Sequence, residues 1–246
     1  AISPYKEEDA AVSLIRNDVK AGTIVKHETN SKIGTKTLIL SNGVKVTYKN
    51  TDFKNDEILF EAISFGGSNT YSDKNIKKVQ FANGALTEAG FSGIQVSNIN
   101  KFMTGKIAKV KPYIGITTEG MKGNATPKDL EYLFQMIYAY FTDLNFDKSA
   151  FDSYKQKQEA VFSNMVSQPN FYFQQEFYTY LNSNNPRFNG LIPNAITWQE
   201  TDYSLSYKKY KERFANAADF EFYFVGNIDD SAIESYATKY IASLPA

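Results

Sequence analysis

Short apolar runs broken by turn residues mark the most legible stretch of the chain. Thr37–Leu40 is such a run, and Ser41-Asn42-Gly43 interrupts it with residues that tolerate the positive φ of a tight hairpin. Val44, Val46 and Tyr48 then alternate with Lys45, Thr47 and Lys49, the period of a half-buried strand. A polar linker, Asp52–Asp56, leads to Ile58–Phe65, a third strand closed by Gly66-Gly67. Three consecutive strands need a cover for their apolar face, so helices later in the chain are expected to supply it.

The period then changes. Asp73 opens a predicted helix to about Ala89, with Ile76, Val79 and Leu86 on one face and Gly90 as its stop. Ser97 is expected to cap a short helix through Ile99, Phe102 and Met103. Lys106–Thr117 returns to strand period, with Pro112 suggesting an edge or a bulge, and Gly120–Ala125 reads as a further strand. Thr126-Pro127-Lys128-Asp129 is a strong helix start. Leu130, Leu133, Phe134, Ile137, Tyr140, Phe141 and Leu144 follow at helical spacing, the clearest amphipathic stripe in the chain. Asp147 caps a helix with Phe151, Tyr154, Val161, Phe162 and Met165 inward, and Phe173, Phe177, Tyr180 and Leu181 predict another. Tyr203, Tyr207, Tyr210 and Phe214 make a further helix, and Phe220, Phe222 and Phe224 a late strand that rejoins the opening sheet. The last helix, about 229–243, holds Ile233, Tyr236, Tyr240 and Ile241. Ala1–Gly34 is weakly patterned: Ala10–Val12 and Leu14-Ile15 suggest a helical turn, and Thr23–Val25 an edge strand. Runs of strands followed by runs of helices give an α+β layer, with 1–35 as a connector and 36–246 as the α/β domain.

Composition narrows the function. The chain has 246 residues, and 27 basic against 27 acidic side chains leave a formal net charge of +0, which argues against nucleic acid as a main partner. No apolar run suits membrane insertion. The absence of cysteine removes disulfides, thiol nucleophiles and thiolate metal sites. His27 is the single histidine, in a polar stretch between Lys26 and Glu28, so no histidine pair exists for a catalytic zinc and no Ser-His triad is available. The start at Ala1-Ile2-Ser3-Pro4, without an initiator Met or signal peptide, leads us to expect a mature or excised fragment of a longer protein. Asp229-Asp230 reads as a helix N-terminus rather than a calcium ligand pair. Arg187, in Asn-Pro-Arg, lies in a loop from which it could touch a partner or a substrate carboxylate, and no role is assigned to it. The aromatic load, 17 Tyr and 19 Phe, reads as a ring-rich core, with an aromatic binding platform as the sharper alternative.

Several segments taken in order carry a family resemblance: LSNGVKV, DEILFEAISFGG, TPKDLEYLFQMIYAYFTD with NFDKSAFDSYKQ, DFEFYFVGNID and a final SLP. This set resembles the M16 (insulinase/pitrilysin-type) zinc metallopeptidases, and most of all a non-catalytic domain from the C-terminal half of a bacterial tandem member. The resemblance covers about Thr37 to the end. It implies a two-layer α/β sandwich of the LuxS-metallohydrolase-like kind, a mostly antiparallel six-stranded sheet with helices on one face. It also implies two halves that close around a peptide, and a periplasmic or cell-envelope location. The active half of such enzymes carries His-x-x-Glu-His on the helix after the third strand, with a further Glu on a later helix. The corresponding segment here, Asn75–Leu86, has neither His nor Glu. Glu159 lies on the later helix but, beside Lys155 and Lys157, reads as a solvated helix face.

The resemblance therefore implies no catalytic, metal or cofactor residue in this chain. Zinc would belong to an N-terminal half of the same polypeptide, and this domain would close the peptide chamber and help position substrate. Two other readings stay open: a stand-alone peptide- or glycan-binding module, and an enzyme with an unrecognised carboxylate site.

Overall fold

A computed structural model describes residues 13–246 except Asn17, Asn184 and Asn189. The expected turn at Ala10–Val12 lies outside the described residues. Seven strands form one sheet: β1 (Ile24–Asn30), β2 (Thr35–Leu40), β3 (Lys45–Asn50), β4 (Ile58–Phe65), β5 (Ala108–Ile114), β6 (Thr118–Ala125) and β7 (Glu221–Gly226), in the order β1-β2-β3-β7-β4-β6-β5. Every neighbouring pair is antiparallel except β3 with β7. The expectation of six strands is corrected to seven. The extra strand, β1, lies within the span read as a connector and pairs with β2 along its length. Its side chains are almost all exposed, so it has no buried face to leave an apolar alternation in the sequence.

The hairpin between β2 and β3 forms where Asn42-Gly43 places it. Gly43 adopts φ 85°, a conformation that glycine enters without a Cβ penalty. The Asn42 side chain donates to the carbonyls of Ile241 and Leu244 at 2.9 and 3.1 Å, which ties the turn to the C-terminal helix.

The helices are α1 (Asp73–Val79), α2 (Asn83–Leu86), α3 (Val96–Phe102), α4 (Leu130–Thr142), α5 (Lys148–Val166), α6 (Pro169–Leu181), α7 (Ala195–Glu200), α8 (Tyr203–Arg213) and α9 (Asp230–Tyr236). The expected helix over 73–89 is interrupted: α1 and α2 are separate, and a 3₁₀ turn, Thr87–Ala89, follows. The break falls at residues 80–82, immediately before Asn83-Gly84, two residues of poor helix propensity that open the single turn of α2. Ser72, not Asp73, occupies the N-cap of α1, and Gln95 rather than Ser97 that of α3. Asp147 caps α5 as expected, accepting from the amides of Ser149 and Ala150 at 2.8 and 3.1 Å.

The core lies between one sheet face and α4. Leu133, Phe134, Ile137 and Ala139 of α4 are almost wholly buried. Phe134 stacks on Phe224 of β7 with centroids 4.9 Å apart, and Phe224 also meets Phe60 of β4 at 4.9 Å. Phe141 packs edge-on against Phe220 and Phe214. The other sheet face carries Leu59, Phe65, Tyr223 and Val225, all exposed, with Phe65 at 83%. The second half of α5 and all of α6 extend beyond the core. Val161, expected inward, is exposed, and α6 buries no residue at all. Their apolar periodicity reports a helix, but it does not say what covers it.

The two sheet faces differ in what they hold, and substitution should read this out. Phe224→Ala should cost about 3–5 kcal/mol by denaturant unfolding, because the stacked rings cannot close the gap. Leu59→Ala, on the open face of neighbouring β4, should cost under about 1 kcal/mol. Equal losses would contradict the assignment of faces.

Candidate functional site

The strand β4 delivers the chain to Gly66-Gly67 and then to α1, the segment that corresponds to the zinc helix of the resembled family. Gly67 has φ 57°, and a Cβ there would meet the Ile116 carbonyl oxygen at 2.6 Å, so only glycine fits. Its amide donates to Glu119 Oε2 at 2.5 Å. Glu119 ends the inward-facing row of β6 and is fully buried. Arg213 of α8 places Nε 3.5 Å from Glu119 Oε1, and its Nη1 donates to Thr70 at 3.1 Å. Beside this pair, burial pushes the Tyr71 hydroxyl up to about 12, against the opposing pull of the Arg213 charge and with a smaller push from Glu119, so it stays protonated at neutral pH. The Tyr71 hydroxyl is buried without a hydrogen-bond partner.

A second arginine braces the same turn. Arg187 donates through Nη1 to the Tyr71 carbonyl and to Asp73 Oδ1, both at 3.1 Å, and through Nη2 to the Ser68 carbonyl at 2.8 Å. Its guanidinium is thus engaged within the chain, where the sequence suggested a partner or substrate carboxylate. Sequence spacing could not reveal either brace, since Arg187 and Arg213 lie more than a hundred residues from the turn they hold.

A cleft of about 570 Å³ opens beside α1, lined by Ile76, Val79, Gln80, Ile114, Ile116 and Leu191 among others. Its walls are mainly apolar, and Gln80 Oε1 is buried there without a partner. The described segment Asn75–Leu86 turns Ile76, Val79, Ala85 and Leu86 into the core. It offers no imidazole or carboxylate. Among the described residues, no three His, Cys, Asp or Glu side chains stand together as a possible metal site. The residues present do not fit zinc, and the cleft has the chemistry of a binding surface.

The other candidates are dispersed. His27, on β1, is exposed and lies 3.2 Å from Glu234 of α9. Glu159 is exposed on α5, with Lys155 Nζ 3.9 Å away. Asp229 caps α9, accepting from the Ala232 amide at 2.9 Å and from the Ser231 hydroxyl at 2.6 Å. These hydrogen bonds, Ser231 first, hold its carboxyl below the usual range.

The buried pair sets an expectation for stability. Glu119→Ala leaves Arg213 without its counter-charge and the Gly67 amide without its acceptor, and should cost about 3 kcal/mol. Glu119→Gln keeps an acceptor for Gly67 and should cost less. Chemical denaturation of both variants tests the order, and a larger loss for the glutamine variant would contradict it.

No family model matches the chain. The probable zinc protease PqqL of Haemophilus influenzae is 22% identical over 211 residues, which is 83% of this chain and 22% of that protein. The chain spans less than a quarter of the length of the curated relatives it matches. The crystal structure of the periplasmic protease PqqL from Escherichia coli superposes with a TM-score of 0.77 at 19% identity, over 99% of this chain and 26% of that one. A peptidase M16 inactive domain from Pseudomonas fluorescens gives a TM-score of 0.66 at 18% identity, over 86% of this chain and 51% of that one. In sequence the chain is similar to zinc proteases of the PqqL type, and in fold it is similar to M16 peptidase domains, an inactive one among them.

Proposed function

We propose that the chain is a non-catalytic domain of a larger zinc endopeptidase, where it closes the peptide chamber opposite a zinc-bearing N-terminal half and helps hold the substrate in register. The observation that carries this reading is the segment after β4. The family places its zinc ligands there, and this chain places buried Ile76 and Val79, with Gln80 and Asn83 at the cleft. The likeness to an inactive M16 domain supports the same reading. So does the open sheet face, a broad wall of exposed Leu59, Phe65 and Val225 beside the exposed Lys109 and Lys122.

Such a domain contributes by position. A zinc half activates water, but an extended peptide must be presented to it, and orientation alone supplies much of a rate enhancement. The chain itself then needs no cofactor. The likeness to the periplasmic protease PqqL supports a periplasmic location, and no helix among the described residues is long and apolar enough to cross a membrane.

Calorimetric titration of the chain with zinc at neutral pH, paired with a peptide-hydrolysis assay, tests this. We expect neither stoichiometric tight binding nor hydrolysis. Tight zinc binding that depends on residues 75–86 would contradict the reading. Chelator-insensitive hydrolysis by the chain alone would favour a carboxylate enzyme instead.

A further inference from the structure

A second cavity, of about 600 Å³, lies between α5, α6 and the segment entering α7. Phe162, Tyr172, Ile192 and Trp198 give it apolar and aromatic walls, and Glu159 and Glu176 bring carboxylates to it. No lysine, arginine or histidine lines it among the described residues. Lys155 lies 3.9 Å from Glu159, at the limit of an ion pair. Glu176 is exposed and has no ion pair among the described residues.

The wall at Trp198 is held firmly. Asn194 caps α7 by accepting from the Ile196 and Thr197 amides at 3.0 Å, and Thr197 Oγ1 in turn accepts from the Asn194 amide at 2.6 Å. Phe151 and Tyr154 meet the indole edge-on at 6.5 and 6.4 Å. Trp198 is 3% exposed, and its Nε1 is buried without a hydrogen-bond partner. A buried donor without an acceptor is uncommon, and a peptide carbonyl, not a cationic side chain, is the kind of group that could accept from it.

From these features we infer that this cavity binds a peptide through a basic side chain, the alkyl stem lying along Phe162 and Trp198 and the charge meeting Glu159 and Glu176. An apolar enclosure of this size with a few polar groups is the usual form of a ligand site. Aromatic walls favour a cation, and two carboxylates select it over a neutral or acidic residue. The long aliphatic stem of lysine or arginine suits an apolar channel with a charged end. The inference rests on the peptide-handling role proposed above and adds the class of peptide.

Trp198 is the single tryptophan of the chain, so its emission reports this cavity alone. The test uses a fluorescein-labelled hexapeptide with one lysine among leucines and alanines, and the same peptide with that lysine acetylated. Anisotropy follows binding anywhere on the chain, and unlabelled peptide is used to follow tryptophan emission. The lysine peptide should bind about tenfold more tightly than the acetylated one, with a saturable emission change. Glu159→Gln combined with Glu176→Gln should remove that preference, and both residues are exposed, so the fold should tolerate the change. Equal binding of the two peptides without an emission change would overturn the cavity while leaving the peptide-handling role intact. Binding of neither peptide would overturn both. An equal emission response to free cadaverine would assign the cavity to small amines and overturn the peptide as its occupant.

Discussion

The strand β7 is the one element on which the sheet depends. It pairs with β3 on one side and β4 on the other, and β3 and β4 do not pair with each other. Without it the sheet divides into β1-β2-β3 and β4-β6-β5. Its inward residues, Phe222 and Phe224, are fully buried and bring the rings of Phe60, Phe134 and Phe141 together. The strand comes from the last tenth or so of the chain, so closing the sheet joins segments far apart in the sequence. Parallel pairing of β3 with β7 across that separation is a non-local contact of the kind that slows folding.

The same arrangement fixes what each region can do. One sheet face is spent on α4 and the ring cluster. The other remains open, together with the cleft beside α1 and the cavity beside Trp198. Charged groups near α1 are consumed in holding the turn: Glu119 and Arg213 on each other, Arg187 on the carbonyls of Ser68 and Tyr71. What is left in the cleft beside α1 is mainly amide and aliphatic surface, while the cavity beside Trp198 adds the carboxylates of Glu159 and Glu176.

The parts of the fold that bury a patterned face were legible in the sequence. The Asn42-Gly43 turn, the α4 stripe and the alternating phenylalanines of β7 each follow from a local rule, and the sheet uses all three. β1 escaped as a full strand because it buries almost nothing, so its residues carry no period. The outward ends of α5 and α6 misled in the opposite sense, since Val161, Phe173 and Phe177 keep helical spacing while exposed. At the site, the loss of His and Glu from the segment after β4 was plain from residue types alone. The Glu119–Arg213 pair was not, because an ion pair between a buried carboxylate and a half-buried arginine 94 residues apart leaves no spacing signal. Trp198 gave no signal as a cavity wall either, since enclosure is a property of three helices together.

Under the proposed function, this domain supplies position to a zinc-bearing half that supplies the chemistry. The most direct measurement is peptide hydrolysis by the zinc-bearing half proposed to accompany this chain, alone and with this chain restored in cis or added in trans. The account predicts weak, chelator-sensitive hydrolysis by the zinc half alone and a large rise in kcat/KM when this chain is present. Full activity of the zinc half without it, on peptides long enough to span the chamber, would contradict the account.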